Sequence, residues 1–403
     1  MKKKVAVFFG GESFEHDVSI LTGLQVLQVI DVTKYDTMPV YVDTDGVWWT
    51  GKPLLDMRNY PLTEEVKKKL SIITLDMFVN SEKKSRFKIE KAGFFAQKFI
   101  DFDVAFFAFH GNVGENGFMQ GLMEIAKVPY TGADVLSSSV YMSKITTKAV
   151  CRDLGINVLN EIVIDKPKMQ ESFNVEELLL KVGKIHYPVC VKPANLGSSV
   201  GVSKANNNDE LFASVLSVFK LDTQVIIEPF VENLMEYNVA VMQNLDGEII
   251  TSAIESPLGK DEFLDFKDKY LAGGNGGAKK MGPAKLAVPT EGLLSMGRKF
   301  EPKMSNDMRK FIVDSAKKLF AFMGATGNPR IDFLCNSKTG EIWLNEVNPI
   351  PGAFAFYLWE KSEYKIGYGK LVDIIIQNAL RHSDEKKVKI NLKTSASVIF
   401  RKH

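Results

Sequence analysis

Val5-Ala6-Val7-Phe8-Phe9 is an unbroken apolar run that stops at Gly10-Gly11, and Val18, Leu21, Leu24 and Leu27 follow at helical spacing. A strand without polar alternation must be covered on both faces, which is the condition of a parallel sheet flanked by helices. Residues 102–109 (FDVAFFAF) repeat the pattern and end at His110-Gly111. Strand, glycine turn and helix, repeated, predict an open α/β sheet whose ligands sit beyond the carboxyl ends of its strands. A chain of 403 residues has room for about two to three domains.

Other classes are excluded early. Lysines precede the first run, but its five apolar residues fall short of the roughly 7–15 of a secretory segment. No stretch approaches the roughly 18 apolar residues of a membrane span, so the sequence reads as soluble and cytoplasmic. Lys plus Arg number 51 and Asp plus Glu 49, a net charge of +2. That balance provides no field for nucleic acid or an anionic membrane. Cys151, Cys190 and Cys335 form no CxxC pair, which argues against a disulfide framework or a structural zinc and fits a reducing compartment.

Further along, residues 50–98 read as a polar insertion, 143–154 as a helix, and 187–192, 225–230 and 236–243 as strands. Residues 305–324 form an amphipathic helix pattern. Residues 261–289 carry Gly273, Gly274, Gly276, Gly277 and Gly282 with little apolar periodicity. They read as one long loop, and loops of that length usually serve a function or are disordered.

Residues 330–335 (RIDFLC) and 342–348 (IWLNEVN) flank the turn sequence Asn336-Ser337-Lys338-Thr339-Gly340 and predict a hairpin. Symmetric pairing sets Cys335 opposite Trp343, Asp332 opposite Glu346 and Arg330 opposite Asn348. Ile331, Phe333, Cys335, Trp343 and Val347 then make an apolar layer, while Arg330, Asp332, Glu346 and Asn348 share the other face. Carboxylates with an amide oxygen suit a hard cation such as Mg²⁺, which takes one or two carboxylates and substrate phosphate. The alternative is a solvated face of cross-strand ion pairs. Lys192-Pro193-Ala194-Asn195-Leu196-Gly197-Ser198-Ser199-Val200-Gly201 is a phosphate cradle by composition, or an ordinary loop. No Gly-Lys pair is followed by Ser or Thr, so a Walker A motif is absent.

Taken together, these residues resemble the D-alanine–D-alanine ligases of the ATP-grasp superfamily. The matching blocks are Phe9-Gly10-Gly11-Glu12-Ser13-Phe14-Glu15-His16-Asp17-Val18-Ser19; His110-Gly111 with Gly114-Glu115-Asn116-Gly117; Gln120-Gly121-Leu122-Met123-Glu124; Pro129-Tyr130-Thr131-Gly132; Lys192-Pro193 onward; and Asn345-Glu346-Val347-Asn348 through Pro351-Gly352. The resemblance implies an α/β (α+β) ATP-grasp fold with an N-terminal open parallel α/β domain at 1–143, a central subdomain at 144–231 and a C-terminal subdomain at 232–403.

It also implies ATP-dependent joining of two D-alanines through an acyl phosphate, for peptidoglycan precursors. Lys144 and Lys192 would hold phosphates, with Ser199 and Lys269 also binding ATP, Glu228, Phe230 and Val231 would surround adenine, and Glu236 would take the ribose. Asp332, Glu346 and Asn348 would bind two Mg²⁺ ions, with Mn²⁺ as a substitute. Glu15 and His110 would receive the first D-alanine, Ser198 with the flap residues Lys269 and Tyr270 would close over the site, and Arg330 with the Gly352 N–H would hold the oxyanion. The partners implied are small molecules, D-alanine and ATP, and family habit suggests a homodimer.

The match departs from the family at Tyr357, which precedes Leu358 where a serine normally holds the second substrate's carboxylate. Ser143 and Pro229 replace an acidic residue and a lysine. A different second substrate, such as D-lactate, D-serine or another amine, is the alternative reading. A third is a nucleotide-binding protein without turnover.

Overall fold

The computed structural model describes residues 2–77, 85–90, 98–168, 173–257 and 297–387. Lys269, Tyr270 and the glycine-rich loop around them lie outside the described residues, as does the basic tail from residue 388.

β1 (Lys3–Gly10) pairs in parallel with β2 (Tyr35–Val42) on one side and β7 (Val104–Phe107) on the other. The helix His16–Val29 follows the glycine turn as expected and buries Val18, Leu24 and Val26. It lies so close to β1 that a Cβ at Gly23 would meet the Phe9 ring at 2.5 Å. Residues 50–98 do more than insert a polar loop. With β3 (Trp48–Thr50) they extend the same sheet as antiparallel strands β4 (Ser71–Leu75), β5 (Ser85–Ile89) and β6 (Lys98–Phe102). The order is β6-β5-β4-β3-β2-β1-β7. What anchors the extension is aromatic: Trp48 and Phe87 pack on Phe8 with ring centroids 5.2 and 5.9 Å away.

The second sheet has the order β10-β9-β11-β8, built from β8 (Ile162–Asp165), β9 (Val189–Pro193), β10 (Ser203–Ala205) and β11 (Gln224–Pro229). The third runs β15-β14-β12-β16-β17. Its strands are β12 (Leu234–Gln243), β14 (Glu255–Pro257), β15 (Arg298–Phe300), β16 (Arg330–Asn336) and β17 (Ile342–Asn348), with β13 (Ile249–Thr251) also paired to β12. The helix Asn306–Phe322 covers its apolar face with Ile312, Ala316 and Leu319.

The hairpin forms, with one correction to its register. Arg330 opposes Asn348 and Asp332 opposes Glu346 as expected, but the register shifts after Asp332, and Leu334 rather than Cys335 opposes Trp343. Asn345 is the extra residue of this bulge. A bulge reverses the alternation beyond it, so Ile342 and Leu344 join Ile331, Phe333, Cys335 and Val347 in the core. Trp343 is turned off that layer and is half-buried. Cys151, Cys190 and Cys335 are free thiols, and no described helix is long and apolar enough to cross a membrane.

Candidate functional site

One cleft gathers residues from all three sheets. Glu15 comes from the turn after β1, His110 and Glu115 from the turn after β7, and Lys144 from the start of the helix Lys144–Asp153. Gly197 comes from the loop after β9, and Arg330, Glu346, Asn348 and Gly352 from the hairpin and the loop beyond it. The hairpin face and the glycine-serine loop are therefore walls of the same space.

Charge is balanced locally. Arg330 donates from Nε and Nη2 to the two oxygens of Asp332 at 2.7 and 2.6 Å, and Asn348 Nδ2 donates to Asp332 Oδ2 at 3.1 Å. Lys144 Nζ is 3.3 Å from Glu346 Oε2 and donates to the Leu196 carbonyl. Lys192 Nζ donates to Asn345 Oδ1 at 2.9 Å, so the bulged residue supplies a polar tether to β9.

Beneath them lies a buried ion cluster. The Glu228 carboxylate, 1 % exposed, sits between Lys192 Nζ at 2.5 Å and Lys148 Nζ, and Lys148 also donates to the Leu159 carbonyl at 2.9 Å. Burial works against both lysines; it wins at Lys148, which is pushed down, whereas Glu228 beside Lys192 pushes that ammonium up. Burial also opposes ionisation of Glu228, and the two ammoniums outweigh it and hold the carboxyl down.

Ser198 and Ser199 have φ of +53° and +59°. Such left-handed conformations in non-glycine residues store strain and cluster at ligand sites. Ser198 Oγ donates to the Glu15 carboxylate, tying this loop to the turn after β1.

Profiles described as "D-ala D-ala ligase N-terminus" and "D-ala D-ala ligase C-terminus" match residues 4–133 and 150–377. The chain is 34% identical over 388 residues to the D-alanine–D-alanine ligase of Thermosipho africanus, covering 96% of this chain and 95% of the relative. It is 32% identical over 386 residues to that of Thermosipho melanesiensis, covering 95% of each. The chain belongs to the D-alanine–D-alanine ligase family. Among solved structures, the D-alanine–D-alanine ligase of Coxiella burnetii superposes with a TM-score of 0.75 at 24% identity, covering 100% of this chain and 99% of that one. The VanG D-Ala:D-Ser ligase of Enterococcus faecalis gives 0.71 at 25% identity, covering 94% and 100%. The expected fold class and ligase class are met: this is an ATP-dependent ligase of the ATP-grasp fold.

Of the residues expected at the family's site, Glu15, His110, Lys144, Arg330, Glu346, Asn348 and Gly352 line this cleft, and others lie elsewhere. Phe230 and Val231 line a separate cleft beyond β11, together with Trp343. Glu236 is half-buried on β12 opposite Leu334. Tyr357 and Leu358 do not line either cleft; both are buried in the core, and the Tyr357 hydroxyl accepts from Arg298 Nη1 at 3.0 Å. Ser143, one of the departures from the family pattern, caps the helix Lys144–Asp153 by accepting from Thr146 N–H at 3.3 Å.

The sequence assigns no site role to Asn345, Lys148, Trp343 or Glu115. Lys148 is within its reach, because it lies one helical turn from Lys144 on the same face. Glu115 accepts the N–H of Gly111 at 2.5 Å and of Ile350 at 2.7 Å. His110 Nδ1 donates to the Ile350 carbonyl at 2.9 Å, and its Nε2 pairs with Thr22 Oγ1 at 2.8 Å. The Ile350 peptide is thus held at both ends, which fixes the loop carrying Gly352. Burial pushes His110 down to about 4, so the ring is neutral at pH 7.

Burial, and then the nearby Glu15 charge, push Glu115 up to about 8 from the ordinary 4.5. Between those values the folded chain holds a proton that the unfolded chain has lost, so this group's contribution to stability falls as pH rises from about 4.5 to about 8. Urea unfolding across that window should show a shallower decline in Glu115→Gln than in the parent protein.

Gly111 has φ of +70°, and a Cβ there would meet Ser13 Oγ at 2.4 Å and Glu15 Oε2 at 2.7 Å. Gly111→Ala is expected to displace Glu15 and reduce ligation at least tenfold, read as dipeptide formed per unit time.

The hairpin face also fits a hard divalent cation. No group of three or more His, Cys, Asp or Glu is arranged for a metal among the described residues. The donors are instead the carboxylates of Asp332 and Glu346, each facing a cation of the protein, and the amide oxygen of Asn348, whose Nδ2 donates to Asp332. An all-oxygen set this small is what Mg²⁺ uses when substrate phosphates complete its shell.

Proposed function

We propose that this chain joins two D-alanine molecules into D-alanyl-D-alanine for peptidoglycan precursors, at the expense of ATP. The observation that carries the reading is the single cleft into which Glu15, Lys144, Arg330, Glu346 and Gly352 converge. Its three sheets support a division into a substrate domain at 1–143 and nucleotide-holding parts at 144–231 and 232–403.

Glu15, fixed by Ser198, receives the ammonium of the first D-alanine and turns its carboxylate toward the hairpin. That carboxylate attacks the γ-phosphorus of ATP, and ADP leaves. Lys144 and Lys192 hold the phosphates, while Phe230, Val231 and Trp343 offer apolar and aromatic surface to the adenine. The second amine then attacks the acyl carbon: the C–N bond forms, the C–O bond to phosphate breaks, and the amine gives up a proton. Arg330 and the Gly352 N–H stabilise the oxyanion of the tetrahedral intermediate. Mg²⁺ on Asp332, Glu346 and Asn348 would neutralise the charge gathering on the phosphates in both steps.

The test is phosphate release with ATP and Mg²⁺ across D-alanine, D-serine, D-lactate and simple amines, with products identified by mass. Dipeptide from D-alanine alone is expected; phosphate release with none of them overturns the reading. A different acceptor stays in view for one reason: Tyr357 is buried and its hydroxyl is engaged by Arg298, so the hydroxyl the family offers a second carboxylate is absent here.

A further inference from the structure

The polar row on the third sheet does not end at Asp332. Glu346 opposes Asp332, Asp332 opposes Asn238, and Asn238 opposes Glu255, so the row crosses β17, β16, β12 and β14. Opposed residues share a face, and Asn238 Nδ2 donates to Glu255 Oε1 at 3.0 Å. Two strand spacings put Glu255 roughly 10 Å from Asp332 along the sheet.

Glu255 is fully buried, and one nitrogen of Arg298, Nη1, donates to both its oxygens at 2.9 and 2.8 Å. The same Nη1 donates to the Tyr357 hydroxyl at 3.0 Å, and the guanidinium lies over the Tyr357 ring at 4.5 Å. Every contact thus falls on a single nitrogen. Nε is sealed from solvent without an acceptor, and Nη2 has none among the described residues. A buried donor left unpaired is costly, and the Nε–Nη2 edge is the planar fork that matches a carboxylate with two parallel hydrogen bonds.

We propose that the Nε–Nη2 edge of Arg298 receives the carboxylate of the second, amine-donating amino acid, with Glu255 and Tyr357 as positioning residues that fix the guanidinium plane. The inference rests on the ligase reading above. It explains how an acceptor carboxylate can be recognised in a protein whose Tyr357 is committed elsewhere. The charge of Arg330 acts on both Arg298 and Tyr357, in keeping with a reacting centre at one end of the row and the carboxylate reader at the other.

The experiment uses the full-length protein with ATP and Mg²⁺ and compares D-alanine with D-alaninamide as acceptor, the first substrate being D-alanine throughout. Hydroxylamine is the control: its nitrogen attacks the acyl carbon, phosphate leaves, and D-alanyl hydroxamate reports the first half-reaction without any acceptor carboxylate. With the parent protein, D-alanine should far outperform its amide. Arg298→Lys keeps a charge beside Glu255 but removes the fork, and Arg298→Met removes both. Each should cut the preference for D-alanine over the amide at least tenfold, through KM for the acceptor, while hydroxamate still forms. An unchanged preference with hydroxamate still forming overturns the assignment, even if kcat drops, because a purely structural role lowers both acceptors alike. Absence of hydroxamate with the parent protein overturns the ligase reading and this inference with it.

Discussion

Glu346→Gln should abolish turnover, lowering phosphate release with D-alanine, ATP and Mg²⁺ by roughly 10³-fold, which is about 4 kcal/mol of transition-state stabilisation. The substitution keeps shape and removes one of the paired charges that oppose each other across β16 and β17. A neutral amide holds a divalent cation and its phosphates far less well than a carboxylate does. Structure should survive, because glutamine keeps the shape of the side chain and the Glu346 carboxylate, 3.3 Å from Lys144, is itself partly exposed. Circular dichroism and the urea midpoint should therefore match the parent protein, and raised Mg²⁺ should recover part of the rate. Normal ligation by Glu346→Gln would remove the metal assignment.

Glu228→Gln should act in the opposite way, through stability. The Glu228 carboxylate is buried with Lys148 and Lys192 as its partners. Removing the shared anion strands two buried ammoniums, a loss of about 3–5 kcal/mol, measurable as a lowered urea midpoint. The sign with pH is fixed by linkage. Without the anion, burial lowers the folded-state lysine values below the unfolded one, so the unfolded chain binds more protons and stability recovers as pH rises toward the ordinary lysine range. Glu228→Gln combined with Lys148→Met should be more stable than Glu228→Gln alone, since it removes one of the stranded charges. A Glu228→Gln variant as stable as the parent at pH 7 would mean that Lys148 and Lys192 are not held by this carboxylate.

The site was legible where short-range pattern carried it. Arg330, Asp332, Glu346 and Asn348 share a face because the turn sequence and period-two alternation set them there, and the structure keeps both opposed pairs. Trp343 leaves the expected apolar layer for a local reason: a bulge at Asn345 adds one residue, and a one-residue slip moves every side chain beyond it to the other face. Nothing in IWLNEVN announces the extra residue. The aromatic anchors of the 50–98 extension were hidden in a polar composition, since single residues such as Phe87 decide the packing.

Sequence by itself determined the element types around the cleft, the turns that end β1 and β7, and the identity of the charged groups, because these depend on neighbours a few residues apart. Only the tertiary structure decided which charges meet. Lys192 finds Asn345 across 153 residues, Ser198 finds Glu15 across 183, and Glu115 finds the Ile350 N–H across 235. Pairings at that separation depend on how three sheets pack together, and burial at their junction then pushes Glu115 up and His110 and Lys148 down.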